Sequence, residues 1–417
     1  MVKPAKAEAA VGGIKARWRS FTKKDLRAID WLVSSEEKAE RLRRALASGG
    51  LRSTGVIRAT ADRVRTITAD PAEVIPNADM VIIVVPAFAH GALLRRIRPC
   101  VSERTAIGCM PARGGFEFGA AQLAAVGGDV PQTLFGLQTL PWSTRVTTVG
   151  RRTHIHAIKG EVVLAALPAG RAPALAARIS KMLGIRVVPA RSFLGLTIGN
   201  PGQIIHPGLM YSHFRWWRGE EYAGDRVPRL HAEVTDETGV LVERLSEDAV
   251  ATARALEAKT GGALGLEAVV VPIHEWLRSA YGRLIRDASS VASCFRTGPN
   301  QALRAPMVES RPGRFVPEFQ HRYLSEDVPF GLVVTRALAE IADVETPLID
   351  EVITWAQSVL QKTYLVDGEL RGRDAERVPI PQNHGVVTVS DLIDWYTEAD
   401  RSMSRLAMSR FGPFARR

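Results

Sequence analysis

The stretch Asp79-Met-Val-Ile-Ile-Val-Val-Pro86 decides the fold of the first half of the chain. Its centre, Val81–Val85, is a run of five consecutive β-branched residues that Pro86 ends. Such a run is typical of a strand buried on both faces of a parallel sheet, because a half-exposed strand alternates apolar and polar residues. We therefore predict a buried parallel strand here, with helices covering both faces of its sheet.

Strand and helix patterns alternate on both sides of this strand. Further strands are predicted at 28–33, 105–110, 133–137, 153–158, 162–167 and 185–188, and helices at about 34–47, 89–97 and 173–183. This alternation predicts a doubly wound, Rossmann-like α/β domain. We assign residues 1–190 to that domain.

The pattern becomes mainly helical beyond residue 190. Ser246 is predicted to cap a helix that runs to about Lys259, and Thr346-Pro347 is an N-cap followed by proline at the first helical position. We therefore predict a mainly α-helical second domain over residues 191–417. A ligand cleft is expected where the two domains meet.

Composition indicates a soluble globular protein of the cytoplasm. Of the 417 residues, 46% are hydrophobic and 24% charged, which is ordinary for such a protein. No run approaches the ~18 apolar residues of a membrane span, and the N-terminus has no apolar core of a secretory signal. Cys100, Cys109 and Cys294 are widely separated and odd in number, which predicts buried thiols in a reducing compartment rather than a disulfide framework.

The charge of +11 makes nucleic acid the first macromolecular partner to consider. However, the arginines are scattered among acidic residues, and no zinc-finger or base-stacking motif is present. We expect no nucleic-acid and no membrane partner, and a basic surface on which some positive charge serves anionic ligands.

The segment Gly199-Asn-Pro-Gly-Gln-Ile-Ile-His-Pro-Gly208 contains a histidine suited to proton exchange near neutral pH. Because Pro207 disfavours helix at the residue before it, we predict an extended or turn geometry for His206. Asn200 supplies an amide that could hydrogen-bond a ligand or orient the loop. The alternative is a buried, purely structural histidine at a domain junction.

Two further segments add candidate ligand-binding groups. In Arg322-Tyr-Leu-Ser-Glu-Asp-Val-Pro-Phe-Gly331, Arg322 offers a planar fork for a carboxylate, and Asp327 could accept the far N–H of an imidazole. The alternative is a local one, in which Arg322 pairs with an acidic helix start. Trp276, in Val271-Pro-Ile-His-Glu-Trp276, is either a pocket wall or a core tryptophan.

Taken together and in order, these segments resemble the helical domain of the octopine/nopaline-type opine dehydrogenases. The matching pattern is Asn200-x5-His206-Pro207, then the Trp276 helix, then Arg322-x4-Asp327. Loops of the first domain resemble the same family's cofactor domain: Pro86-Ala-Phe-Ala-His90, Pro111-Ala-Arg-Gly-Gly115 and Phe135-Gly-Leu-Gln-Thr-Leu-Pro-Trp142. The resemblance runs from about Leu26 to the C-terminus.

The resemblance implies an oxidoreductase that uses NAD or NADP. In that family an amino acid and a 2-keto acid condense to an imine, which NAD(P)H reduces. His206 would be the general acid/base, and Asp327 would orient it. Arg322 would hold the keto-acid carboxylate, with Trp276 and Gln138 lining the amino-acid side of the cleft.

The resemblance also implies that residues 1–190 bind the dinucleotide and that the substrates are small molecules. The cofactor would contact the loop formed by Pro86, Ala87, Phe88 and His90. We expect a monomer or a homodimer.

Two residues depart from the family pattern inside the cleft. Gln138 stands where glutamate is frequent, which makes an arginine-like amino acid a less expected substrate. Arg113 stands where a neutral glutamine is common, which favours a more anionic substrate.

The start of the chain departs further. Members of the family open with a strand and a G-x-G-x-x-G type of loop, whereas the stretch from Ala7 to Trp18 has only Gly12-Gly13. We expect an aberrant N-terminus over residues 1–25; a start elsewhere and a diverged loop are the alternatives. After Val33 the acidic residue that reads the ribose is unclear, so NAD and NADP both stay open.

Two other functions therefore stay open at this point. One is a non-catalytic remnant with a damaged cofactor site. The other is a different two-domain dehydrogenase of the ketopantoate or 3-hydroxyacid type.

His154 and His156 share one face of a strand, but no third ligand lies nearby in sequence, and we expect no metal site.

Overall fold

The computed structural model describes residues 8–11, 14–17, 29–61, 64–102, 104–125 and 133–408. Its strands are β1 (Glu8–Val11), β2 (Ile14–Arg17), β3 (Asp30–Leu32), β4 (Leu51–Gly55), β5 (Ala59–Ala61), β6 (Thr66–Thr68), β7 (Met80–Ile83), β8 (Ala106–Cys109), β9 (Thr133–Leu137), β10 (Trp142–Thr148), β11 (Arg152–Ile158), β12 (Glu161–Leu167), β13 (Arg186–Pro189), β14 (Tyr222–Ala223), β15 (Met307–Arg311) and β16 (Arg314–Pro317). Its helices are α1 (Glu36–Ala47), α2 (Pro71–Val74), α3 (His90–Ile97), α4 (Phe116–Ala125), α5 (Ala172–Leu183), α6 (Leu194–Ile198), α7 (Pro201–Phe214), α8 (Asp236–Lys259), α9 (Ile273–Tyr281), α10 (Val291–Thr297), α11 (Arg322–Ser325), α12 (Val333–Ala342), α13 (Pro347–Leu360) and α14 (Val389–Met408). The predicted α/β domain followed by a mainly helical one is confirmed.

The main sheet has the order β13-β12-β9-β8-β7. Strands β7, β8 and β9 are parallel, whereas β12 runs antiparallel to β9 and parallel to β13. All five residues of β9 are buried, as expected of a central strand. The predicted strand at Val81–Val85 is β7, but the prediction of burial on both faces is wrong: three of its four residues are only partly buried, and Val84 and Val85 are exposed beyond its end. Among the described residues, β7 pairs only with β8.

The first part of the chain forms smaller sheets. Strands β3 and β6 make a parallel pair, and β10, β11, β4 and β5 make a four-stranded sheet. The stretch expected to be aberrant forms two short antiparallel strands, β1 and β2, that pair with each other. Gly12-Gly13 and Ala28, at the start of the predicted strand 28–33, lie outside the described residues.

The helical half differs from prediction at Ser246. Helix α8 begins eleven residues earlier, where Thr235 is the N-cap and its side chain accepts the N–H of Thr238. Ser246 is buried within the helix, and its Oγ accepts the Ile273 N–H at 2.9 Å. The upstream Thr235 cap, followed by two acidic residues, is the stronger start signal.

The geometry predicted for His206 is also wrong, because His206 and Pro207 both lie inside α7. Asn200 caps this helix and Pro201 occupies its first turn, so the start is well defined. The buried face of α7 packs against α8 and α13 and includes Leu209 and Met210, both 0% exposed. This burial outweighs the local preference of a residue that precedes proline.

Candidate active site

His206 projects from α7 toward a cluster of charged side chains. Its Nδ1 lies 2.8 Å from Oδ2 of Asp327, and its ring stacks on Tyr323 with centroids 3.9 Å apart. Because a carboxylate only accepts hydrogen bonds, Nδ1 carries the proton and Nε2 is left available. The side chain of Asp327 is 1% exposed, whereas that of His206 is 21% exposed and lines a cavity. The pair predicted from sequence is therefore in contact.

Arg113 lies behind this pair and belongs to the loop that follows β8. Its guanidinium forms an ion pair with Asp327 and lies 3.4 Å from Glu326, and it donates to the side-chain oxygen of Asn200 at 3.2 Å. The sequence interpretation missed this role, although a charged residue in a loop at the carboxyl edge of a parallel strand was a signal for it. Arg113 thus neutralises protein carboxylates.

The charges around His206 set its protonation. Burial lowers the pKa of His206, and the neighbouring Asp327 offsets this only in part. Burial opposes ionisation of Asp327, but Arg113 and His206 together hold the pKa of that carboxyl below its ordinary value. The resting pair is therefore a neutral imidazole bound to a carboxylate, which makes His206 a proton acceptor at neutral pH.

Arg322 begins α11 and lines the same cavity. Its Nη1 lies 3.9 Å from Glu326, so the local pairing considered as the alternative exists, but the side chain remains 46% exposed. Glu326 also accepts the backbone N–H of Ala87 at 2.9 Å and so joins the β7 loop to the helical half. Because this ion pair is long and partly exposed, the guanidinium of Arg322 can still donate hydrogen bonds to a second carboxylate.

Trp276 is on α9 and forms part of the cavity wall, as the pocket interpretation predicts. Gln138, by contrast, is only 3% exposed and does not line the cavity. Its Nε2 donates to the carbonyls of Gly199 and Val269 at 2.8 and 3.3 Å, and its Oε1 accepts the Trp276 indole N–H at 3.4 Å. The prediction that Gln138 lines the cleft is corrected. Its amide lies behind Trp276, because both N–H groups of the amide donate to backbone carbonyls.

Asn200 is buried and fully engaged in orienting the loop. Its side-chain oxygen accepts the Gly202 N–H at 2.9 Å as the cap of α7, and its amide donates to the carbonyl of Ala112 at 3.1 Å. Together with the Arg113 contact, these bonds tie the β8 loop to the start of the helix that carries His206.

The loop expected to touch the cofactor follows β7. Phe88 and Val84 are each 60% exposed, Pro86 is half-buried and Ala87 is buried. His90 is also buried, and its Nε2 donates to the carbonyl of Val85 at 3.0 Å. Burial lowers the pKa of His90 to about 4, so it fixes the loop as a neutral ring.

We expect this loop to contact one part of a dinucleotide. Exposed apolar side chains at the carboxyl end of a parallel strand form the surface on which such sheets receive a nucleotide's rings and riboses. The contact of Pro86, Ala87, Phe88 and His90 with the cofactor stays a prediction. Gly12-Gly13, which stand where the family has its glycine-rich loop, lie outside the described residues.

His154 and His156 lie together on β11, with ring centroids 4.5 Å apart. His154 Nδ1 is 3.0 Å from the Thr54 hydroxyl. Among the described residues, no three His, Cys, Asp or Glu side chains are grouped so that they could hold a metal ion. Within the same part of the chain, no helix has the length and apolarity needed to cross a bilayer.

Comparison with known proteins places this geometry in context. Residues 189–360 match the family model described as NAD/NADP octopine/nopaline dehydrogenase, alpha-helical domain. An opine dehydrogenase of Haliotis discus hannai is 32% identical over 80% of this chain and 82% of its own. A tauropine dehydrogenase of Arabella iricolor is 31% identical over 79% of this chain and 83% of its own. A solved structure of octopine dehydrogenase with NADH and L-arginine is 26% identical and superposes with a TM-score of 0.73 over 88% of this chain and 91% of that one.

Proposed function

The chain belongs to the NAD/NADP octopine/nopaline dehydrogenase family, and from that premise we propose that His206 and Asp327 provide the acid–base chemistry of its reaction. The reaction is the NAD(P)H-dependent reductive condensation of an amino acid with a 2-keto acid. The observation that carries the assignment of roles is the 2.8 Å contact between His206 and the buried Asp327 at the wall of a cavity.

The neutral His206 accepts a proton from the substrate ammonium, which frees the amine to attack the keto carbon. Asp327 stabilises the imidazolium that results and keeps Nδ1 protonated. This proton and a second one from the attached nitrogen pass to the former carbonyl oxygen, which leaves as water, and the imine nitrogen keeps the third proton of the ammonium. When bound, the cofactor supplies the hydride that reduces the imine carbon.

Arg322 holds the keto-acid carboxylate through its partly exposed fork, so that the reacting carbon is fixed beside His206. Trp276 forms the wall against which the amino acid lies, and Gln138 fixes the orientation of that wall. Asn200 acts through Arg113 and through the start of α7 rather than on substrate.

Family membership disfavours both alternatives, the non-catalytic remnant and the ketopantoate or 3-hydroxyacid type of dehydrogenase. Requirement for an amine separates the opine reaction from simple keto-acid reduction, because the latter oxidises NAD(P)H with pyruvate alone. The domain division near residue 190, a monomer or homodimer, the choice between NAD and NADP and a cytoplasmic location remain predictions.

We expect His206→Ala to lower kcat by roughly 10²- to 10⁴-fold, the usual contribution of a general acid/base. Cofactor affinity should stay near that of the parent, since His206 faces the substrate cavity. The measurement is NADH oxidation with pyruvate and an amino acid, with NADH fluorescence titration in parallel. His274→Ala is the matched control, because His274 lies on α9, outside the cavity lining. Strong residual turnover in His206→Ala would contradict the assignment.

A further inference from the structure

The cavity beside His206 carries an excess of positive charge. Its lining includes Arg113, Arg145, Lys159 and Arg322, and none of the described residues that line it is acidic. Arg113 forms ion pairs with Glu326 and Asp327, and Arg322 forms one with Glu326. Among the described residues, Arg145 and Lys159 have no carboxylate within ion-pair distance.

Lys159 is the more unusual of these two cations, because it is only 6% exposed. Its Nζ donates to the carbonyl of Leu140 at 2.7 Å and lies 5.8 Å from the centroid of the Tyr281 ring. An ammonium has three donors; one is used by Leu140 and the Tyr281 ring lies beside the group, so at least one donor remains for a ligand. Burial lowers the pKa of Lys159 to about 8. A buried cation without a carboxylate is unfavourable unless an anion accompanies it.

Arg145 and Trp142 reach the cavity from the neighbouring strand, β10. Three residues apart, they would face opposite sides of a regular strand, but the pairing register shifts between Ser143 and Thr144. Both side chains accordingly line the cavity. The indole N–H of Trp142 is buried and has no hydrogen-bond acceptor. Trp142 pairs with Ile158, the residue before Lys159, so the unused indole donor and the ammonium lie on adjacent chain segments.

We propose that the amino donor is an amino acid whose side chain ends in an anionic group, a carboxylate or a sulfonate, held by Trp142, Arg145 and Lys159. The proposal rests on the proposed function and narrows its substrate class. Three donors on one wall, two of them cationic, match the oxygens of such a group. An arginine-like side chain would place a cation against Arg145 and Lys159 with no carboxylate to receive it. The anionic preference expected from the sequence is thus carried by these residues, while Arg113 neutralises Asp327 and Glu326.

The test compares kcat/KM for glutamate and aspartate with the neutral isosteres glutamine and asparagine, and with arginine, at fixed pyruvate and NADH. We expect glutamate or aspartate to exceed its amide by roughly tenfold or more, the order of one charge-assisted hydrogen bond, and arginine to be poorest. Cysteate against glutamate distinguishes sulfonate from carboxylate. Lys159→Met and Arg145→Met should reduce the acid-to-amide ratio, whereas Arg152→Met, an exposed cation on β11, should not.

Equal rates for acids and amides, or equal loss of both in Lys159→Met, would overturn the proposal, because Arg145 and Lys159 would then bind the α-carboxylate that all amino acids share. Turnover with neutral or basic amino acids alone overturns the substrate class but leaves the opine reaction intact. Absence of turnover with every amino acid instead contradicts the proposed function. Tryptophan fluorescence then decides the substrate class, since Trp142 and Trp276 line the cavity: tighter binding of glutamate than glutamine supports it, and equal binding overturns it.

Discussion

At the scale of single residues, Arg113 determines how the site is charged. One buried guanidinium is shared by two buried carboxylates, Asp327 and Glu326. Removing one member of a buried ion pair leaves an uncompensated charge, which is more unfavourable than never having had the pair. Arg113 is therefore both a structural residue and a positioning residue for His206.

We expect Arg113→Gln to lower the free energy of unfolding by about 3–5 kcal/mol at neutral pH. The pKa of Asp327 is depressed in the folded state, so its contribution to stability is present above the ordinary pKa of an aspartate and is lost as pH falls through the depressed value. The difference in the free energy of unfolding between the parent and the variant should therefore become smaller at acidic pH. Urea denaturation at several pH values measures this, and a deficit independent of pH would contradict it.

The same variant should shift the pH profile of kcat/KM. Arg113 lowers the pKa of both His206 and Asp327, so its removal moves the inflection to higher pH. Other groups act on His206, and they remain in the variant: Arg322 and Tyr323 from α11, with His231 and His321. Arg113→Lys keeps the charge and should keep the inflection near its original pH, which separates this effect from a loss of shape.

At the scale of elements, α14 is fastened to the α/β half by a buried carboxyl group. Glu117, on α4, accepts hydrogen bonds from the hydroxyls of Thr197 at 2.7 Å and Tyr396 at 3.0 Å. Burial raises the pKa of Glu117 to about 7. The folded state therefore binds this proton more tightly than the unfolded chain does.

It follows that the contribution of Glu117 to stability is complete below its unfolded pKa, about 4.5, and is lost as pH rises toward 7. Glu117→Gln should remove this dependence while its amide oxygen still accepts from Thr197 and Tyr396. The parent should lose up to roughly 1.4 kcal/mol per pH unit relative to the variant across that window. Denaturation at pH 5 and pH 7.5 tests this; parallel curves for the two proteins would count against it.

The elements also show what a sequence can predict. Helix α5 ends where predicted, because Gly184 adopts the left-handed conformation (φ 67°) that glycine favours. Local signals failed where packing overrode them, as at Pro207 inside α7 and at Ser246 inside α8. The pairing of His206 with Asp327 was predicted through a family resemblance. The partners of Arg113 and Lys159 could not be, because they are chosen by the tertiary fold and leave no local pattern.

At the scale of the whole molecule, the described part of the α/β half has an open sheet edge beside the loop that is expected to hold the cofactor. Strand β7 is the edge of the main sheet, and β3 pairs only with β6 among the described residues. Val84 and Phe88 are exposed beyond the end of β7, where we expect the nucleotide to bind.

Titration with NADH and with NADPH, followed by nicotinamide fluorescence, is expected to give micromolar binding to at least one of them. Phe88→Ser should weaken it, since Phe88 is 60% exposed at that surface and its loss removes apolar contact without creating a cavity. His206→Ala serves as the control with near-parental affinity. No binding by a folded sample would mean that the loop after β7 does not hold the cofactor.

The contacts of Glu326 and Arg113 have a mechanical consequence. Arg113 comes from the loop after β8 and Ala87 from the loop after β7, yet both are held by acidic residues of the helical half. If the two halves moved apart, the guanidinium would be drawn away from Asp327, and Ala87 would lose its hydrogen bond to Glu326. The charge around His206 therefore depends on contact between the two halves, and we expect their separation to change the proton affinity of this histidine.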